Sequence, residues 1–153
     1  MDAIVQESKV VNVLHPVSVS AAATGDYICM KNYQHISLIV NVGTLTTGGL
    51  LQLKEAKDAS ATSAAVIDPG HYWVSGTTPS DTFTKTSTSS SATATTTASK
   101  VYVFELDGAQ LSDGFDWITL YMPTSAASAM IMGAQAILSK PRYASAAPPT
   151  AIA

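Results

Sequence analysis

The chain has 153 residues, of which 46% are hydrophobic and only 12% are charged, with a formal net charge of −3. This length suits one domain with a complete core, while the charged share is about half of what globular proteins usually carry. The acidic balance offers no basic stripe to neutralise phosphates, which argues against nucleic-acid binding. A surface this poor in charge suits a protein that other subunits cover.

Two further features of the sequence concern its surroundings. No stretch approaches the roughly 20 apolar residues that a membrane helix needs, and the first residues lack the basic and apolar regions of a signal peptide. We therefore expect no membrane partner. The single cysteine, Cys29, lies in an apolar run and is expected to be a small buried side chain without a disulfide or a metal.

The first part of the chain predicts an arm and an interrupted strand. Residues 1–9 carry only the apolar pair Ile4 and Val5 among polar residues, and we interpret them as an N-terminal arm. Two β-branched runs follow, at 10–14 and 17–20, with Pro16 between them. Because proline has no N–H for a central ladder, Pro16 predicts a kink or a sheet edge.

The strongest strand signal lies within residues 27–42. Four apolar residues alternate with four others, as Ile36, Leu38, Val40 and Val42 against His35, Ser37, Ile39 and Asn41. This period of two places the apolar set on one face of a β-strand. Because Ile39 interrupts the polar face, we expect a middle strand that is covered in part on both sides.

The next segment predicts a hairpin and then shorter elements. The Gly- and Thr-rich residues 43–49 predict a hairpin loop, and 50–56 returns as a strand with Leu51 and Leu53 on one face. A polar loop at 57–65 and an apolar pair at 66–67 follow. Composition then predicts a turn at 68–70 and a short aromatic strand at 71–74.

The segment 82–97 is dominated by threonine and serine. Composition alone is typical of a flexible linker, but threonine favours strands. We therefore prefer two Thr-rich strands joined at 89–91 over a loop. Beyond this segment, apolar runs predict strands at 101–106, 115–122 and 129–138.

These elements together predict the fold class and the domain organisation. Many short strands separated by turn signals, with no long amphipathic helix, predict an all-β protein, an antiparallel β-sandwich of jelly-roll type. The sandwich domain spans 10–143, between the N-terminal arm at 1–9 and a proline-containing C-terminal arm at 144–153. The expected core residues are Ile36, Leu38, Val40, Leu51, Leu53, Tyr102, Phe104, Trp117 and Leu120.

The residues that could carry chemistry are scattered. His15, His35 and His71 lie on separate elements, and the acidic cluster within 107–116 lacks the oxygen-rich loop of an EF-hand. No G-x-S-x-G elbow accompanies the many serines, and 43–49 lacks the Lys-Ser/Thr of a P-loop. We predict no catalytic residue, metal or cofactor. For the aromatic pair 72–73, core packing is preferred over sugar stacking.

Three strings carry a resemblance to a known family. They are Asp-Tyr through Lys-Asn-Tyr at 26–33, Asp-Gly-Phe-Asp-Trp at 113–117, and Ala-Ile-Leu-Ser-Lys-Pro-Arg-Tyr at 136–143. In this order and spacing they resemble small virion proteins of tailed bacteriophages that decorate or cement the head. The resemblance covers most of the chain and implies a non-enzymatic structural protein, with no site residue carried over.

The resemblance also implies partners and a location. The expected partners are the major capsid protein and further copies of the chain, as a trimer or a capsid-symmetry assembly. The expected location is the capsid surface of the virion, after synthesis in the host cytoplasm. We predict that the two arms supply the subunit interface, through Ile4, Val5, Tyr143, Pro148, Pro149 and Ile152.

Two other functions fit the same fold prediction. One is a carbohydrate-binding jelly-roll module of a phage tail fibre or adhesin, and the other is a hydrolase with paired carboxylates in a cleft. Exposed aromatic residues in a cleft would favour the carbohydrate-binding module. Buried aromatic residues and arms that bridge subunits would favour the cement protein.

Overall fold

A computed structural model describes residues 3–44, 48–77, 79–88, 91–94, 99–123, 130–142 and 149–152, and these residues form twelve β-strands. A short helix, α1 (Ile4–Glu7), precedes the strands, and a 3₁₀ turn spans Gly108–Gln110. The strands are β1 (Lys9–Val19), β2 (Ala23–Thr24), β3 (Ile28–Cys29), β4 (Tyr33–Val42), β5 (Gly49–Ala56), β6 (Ala65–Ile67), β7 (His71–Ser75), β8 (Phe83–Ser87), β9 (Ser91–Ala94), β10 (Lys100–Asp107), β11 (Trp117–Met122) and β12 (Met130–Pro141).

The strands form two antiparallel sheets of six strands each. The front sheet has the order β1-β12-β4-β10-β7-β8. In the back sheet, β11 lies between β5 and an interrupted edge made of β2 and β3, while β6 and β9 both pair with β5. As predicted, β4 is a middle strand, since it pairs with β12 on one side and β10 on the other.

The route of the chain defines a jelly roll. It passes from β1 in the front sheet to β2 and β3 in the back sheet, then to β4 in front and β5 behind, and it repeats this alternation from β9 to β12. The segment β6–β8 is an addition between β5 and β9 that widens the front sheet by two strands. The predicted all-β sandwich of jelly-roll type is confirmed.

The predicted hairpin at 43–49 is wrong. The two strands that flank this segment form as expected, but β4 belongs to the front sheet and β5 to the back sheet, where β5 pairs with β11. Between β4 and β5 the chain therefore passes from one sheet to the other, and stacked sheets are roughly 10 Å apart. A hairpin within one sheet and a connection between two sheets give the same alternation of apolar residues in the sequence, because each strand presents one apolar face to a common core.

The core lies between the inner faces of the two sheets. Eight of the nine predicted core residues are at most 4% exposed: Ile36, Leu38, Val40, Leu51, Leu53, Tyr102, Phe104 and Leu120. The ninth, Trp117, is half-buried at the start of β11. Trp117 and Leu120 have opposite parity along β11, and of the two only Leu120 is buried in the core.

The interruption at Pro16 appears as two irregularities within one edge strand. The register of β1 on β12 shifts between Asn12 and Leu14 and again between Leu14 and Val17. With the Asn12 amide turned so that its oxygen accepts from His15 Nδ1, its nitrogen donates to the carbonyls of Leu14 (3.2 Å) and Ala134 (3.1 Å). The predicted kink or edge at Pro16 is therefore confirmed, in a strand that continues beyond it.

The Thr-rich segment forms two strands, as we preferred. β8 pairs with β7 in the front sheet, and β9 pairs with β5 in the back sheet. Of the junction at 89–91, residues 89 and 90 lie outside the described residues. None of the helices in the described part of the chain is long and apolar enough to cross a membrane.

Candidate functional site

The outer face of the front sheet, which points away from the core, is the candidate site. Alternation along each strand places every second side chain there. In the middle of this face Ile39, Val103 and Trp73 are aligned by the strand register, because Val103 pairs with both of the others. All three are half-buried. Two polar residues flank this apolar row, Gln135 beside Ile39 and Lys85 beside Trp73.

A polar network lies beside the apolar row and links three strands. His35 in β4 contacts Glu105 in β10 through Nε2 and Oε2, at 2.8 Å, and Ser139 in β12 through Nδ1 and Oγ, at 3.2 Å. Ser37 donates to the same Oε2 atom of Glu105 at 2.8 Å. Since the side chains of His35 and Glu105 are 22% and 29% exposed, ligands can reach the network.

The network contains two serines, a histidine and a carboxylate. Ser139 in β12 lies opposite His35 in β4, and Ser37 in β4 lies opposite Glu105 in β10. The arrangement ties three neighbouring strands together by cross-strand hydrogen bonds.

The aromatic pair 72–73 divides between the two faces of β7. Tyr72 points inward, with its ring centroid 5.8 Å from that of Phe104 and 6.1 Å from that of Tyr102. Trp73 points outward, in edge contact with His71 at 4.7 Å between centroids and with the Lys85 ammonium 5.6 Å away. The preference for core packing is therefore right for Tyr72 and wrong for Trp73.

A groove interrupts the outer face near β1. Gly133 and Pro16 form part of its lining. A Cβ atom at position 133 would lie 3.3 Å from the Pro16 ring, so glycine keeps this part of the groove open. Val101 and Ile131 supply apolar lining, and the groove holds about 360 Å³. Ile131 is 62% exposed. This combination gives the outer face a shallow apolar depression within the size range of ligand pockets.

The described part of the C-terminal arm packs on its own domain. Tyr33 is completely buried, and its hydroxyl donates to the carbonyl of Pro149. The backbone N–H of Cys29 donates to the carbonyl of Ala151 at 2.8 Å, and Ala151 is completely buried in the core. Burial raises the pKa of the Tyr33 phenol above its usual 10.0.

The predicted interface residues are distributed as follows. Ile4 and Val5 lie on α1 and are 56% and 61% exposed, and Ile152 is 54% exposed. Pro149 contacts its own domain as described above, while Tyr143 and Pro148 lie outside the described residues. Ile152 lines a surface depression together with Lys9 and Val10. The role of the six residues in a subunit interface stays a prediction.

The remaining candidates for chemistry stay apart. Within the described residues, no group of three metal-ligating side chains occurs. That the protein binds no metal stays a prediction. Cys29 is a free thiol and is half-buried, which is less than expected.

Sequence reasoning missed the buried Glu55, which accepts hydrogen bonds from Ser112 through N–H (2.8 Å) and Oγ (2.5 Å). The one signal in the sequence was its spacing of two from Leu53 and four from Leu51, which places Glu55 on the same, inward face of β5.

Fold and surface together define a jelly-roll β-sandwich protein with one broad, partly apolar sheet face. A solved structure with this fold is that of the SPBc2 prophage-derived protein YomS, with a TM-score of 0.50. The alignment covers 87% of this chain and 94% of that chain at 10% identity, and this likeness shows the fold. No protein-family model and no curated protein sequence matches the chain.

Proposed function

We propose that this chain is a non-enzymatic structural protein of a tailed-bacteriophage particle, a cement or decoration protein that binds and stabilises the capsid. Its partners would be the major capsid protein and further copies of the chain, at the capsid surface. Two independent observations support the phage context. They are the order of the three virion-like strings and the fold shared with a prophage-derived protein.

The observation that carries the structural role is the apolar character of the surface. Nine large apolar side chains among the described residues are at least 39% exposed: Ile4, Val5, Val10, Val17, Leu50, Val66, Phe83, Ile131 and Ile152. With only 12% charged residues, little charge separates them. Single exposed apolar residues are ordinary, but a surface with this composition is typical of proteins that other subunits cover.

Particle reconstitution tests the proposal. Phage particles that lack this protein should release their DNA at a lower temperature than complete particles, and the purified chain added back should restore the difference. Bovine serum albumin at the same concentration serves as the control for unspecific protection. If the protein is missing from purified virions, or if the added chain neither binds nor protects them, the proposal is wrong.

The second candidate, a carbohydrate-binding module, is favoured by Trp73. An outward indole beside His71 and Lys85 could stack on a sugar ring while polar groups bind its hydroxyls. Titration with chitohexaose and with host cell-wall polysaccharide, followed by tryptophan fluorescence, tests this candidate. Trp73→Ala should abolish the response, and Trp117→Phe should retain it. A response that survives Trp73→Ala would exclude this site.

A further inference from the structure

We propose that β8 is a self-association edge, at which a second copy of the chain adds its own β8 antiparallel across a two-fold axis. The two front sheets would then form one continuous sheet. This inference deepens the proposed function, since it names one surface through which copies assemble. It rests on the properties of β8 and can be tested on the free protein, without a capsid.

Three of the four sheet edges carry features that discourage pairing with another chain. The β1 edge has Pro16 and two register shifts, and its Val13 carbonyl already accepts the N–H of Asp26 at 2.8 Å. The edge made of β2 and β3 is interrupted, and Cys29 donates to Ala151 there. The last edge is divided between β6, of three residues, and β9, of four. Proline, bulges, cover, short strands and charged side chains, above all lysine, are the usual means of blocking an edge.

Of these features, the fourth edge, β8, carries only a lysine. It is a regular five-residue strand, Phe83–Ser87, in continuous register with β7. It contains no proline and a single charge, at Lys85, which points to the outer face rather than into the sandwich. Phe83 is 42% exposed. A regular edge with an exposed aromatic residue is a template for a further strand.

The backbone of β8 shows which groups are available. Two hydrogen bonds to the β7 side lie just beyond the two ends of β8. Gly76 donates to the carbonyl of Thr82 at 3.1 Å, and Thr88 donates to the carbonyl of Gly70 at 3.0 Å. Even-numbered residues therefore direct their backbone groups to β7. The N–H and C=O groups of Phe83, Lys85 and Ser87 point away from it, and no strand within the described residues pairs with that side.

The sequence of the strand is complementary to itself. In the antiparallel register centred on Thr84, Phe83 lies opposite Lys85 of the second copy, and threonines at 82 and 86 lie opposite each other. Threonine pairs are favourable across strands, and the lysine stem and ammonium can pack on the phenyl ring. The register centred on Lys85 would instead place two lysines face to face, which is unfavourable. This complementarity selects a second copy as the partner.

Cysteine scanning in a Cys29→Ser background tests the register. Thr84 would face its own counterpart as a non-hydrogen-bonded pair, with Cβ atoms about 4.5–5.5 Å apart, which a disulfide can bridge after a small adjustment. Thr86→Cys is the matched control on the same face of the same strand. Its two copies would be about 13 Å apart, four residues along the strands.

Under mild oxidation by copper phenanthroline, Thr84→Cys should form a covalent dimer at least about tenfold faster than Thr86→Cys, since only the former meets disulfide geometry. Equal rates for the two variants, or no dimer from Thr84→Cys, would overturn the proposed pairing. Neither result would touch capsid binding, because no capsid is present.

A second pair of variants tests the edge without a new thiol. Lys85→Ala and Lys85→Pro both remove the charge and the contact with Trp73, but only proline removes the outward N–H. In sedimentation equilibrium, the wild type and Lys85→Ala should show a concentration-dependent dimer, and Lys85→Pro should remain monomeric with the same far-UV circular dichroism. A wild type that stays monomeric at millimolar concentration, or a Lys85→Pro variant that dimerises as the wild type does, would overturn the proposal.

Discussion

The hydroxyl of Tyr33 donates to the carbonyl of Pro149, a residue 116 positions further along the chain. This hydrogen bond and the burial of Ala151 hold the end of the chain against β3. The C-terminal segment therefore completes the core of its own domain, which any role in assembly has to accommodate.

The first prediction concerns the two faces of β4. Leu38→Ala should lower the free energy of unfolding by about 2–5 kcal/mol, because it leaves a cavity between the sheets. Ile39→Ala, at the neighbouring position on the outer face, should cost only about 1 kcal/mol, since its side chain is half-exposed. Urea unfolding measures both values. Equal losses would show that the two faces are covered alike.

The second prediction concerns a close approach of two backbones. A Cβ atom at Gly25 would lie 2.8 Å from both the carbonyl oxygen and a methyl carbon of Val13. Gly25→Ala should therefore cost about 1–3 kcal/mol, as overpacking does. In the control Gly76→Ala, the new methyl meets only the side chain of the exposed Ser80 and no backbone atom. Thermal unfolding should separate the two variants, and a neutral Gly25→Ala would contradict this packing.

The third prediction concerns alkaline pH. Because burial raises the pKa of Tyr33 above 10.0, the folded protein keeps the phenol neutral at a pH where the unfolded chain ionises it. Stability from this group is complete below pH 10.0 and is lost as the pH rises through the folded pKa. Tyr33→Phe should reduce the slope of unfolding free energy against pH above 10.0. Identical slopes in both proteins would contradict the assignment. Burial also raises the pKa of Tyr27, so the Tyr33→Phe variant should keep part of the dependence of its unfolding free energy on pH.

The fourth prediction concerns the buried carboxylate. Glu55→Ala should cost about 2–3 kcal/mol, because it removes two hydrogen bonds to a charged group. The Ser112 amide should then exchange its hydrogen faster. Glu55→Gln, which keeps an acceptor, should show a smaller loss and slower exchange than Glu55→Ala. If the alanine variant leaves exchange at Ser112 unchanged, another group holds this loop.

Sequence alone predicted the faces of the strands well, because alternation is a local property. The buried sets in β4 and β10 follow directly from it. It could not predict the partner of β5, since strands that pair and strands that face each other across a core have the same pattern. At β7, both Tyr72 and Trp73 are aromatic, so alternation leaves open which of them points inward.

The polar network on the outer face was beyond sequence reasoning for a related reason. Ser139 and His35 are 104 positions apart, and the register of β12 on β4 alone brings them together. Each is an ordinary strand residue in its own segment. The same holds for the exposed edge at β8, which is apparent only once the strand order is known.

The last prediction separates the two possible roles of the C-terminal segment. Ala151 and Ile152 are neighbours, yet the first is completely buried and the second is 54% exposed. Ala151→Asp should lower the melting temperature of the free protein, because a carboxylate without a partner would have to enter the core. Ile152→Asp should leave the melting temperature nearly unchanged. If the arm also contacts a neighbouring subunit, Ile152→Asp should weaken binding to particles that lack the protein, measured by cosedimentation. Full binding by Ile152→Asp would exclude Ile152 from the interface, and an unchanged melting temperature for Ala151→Asp would show that the segment does not complete the core.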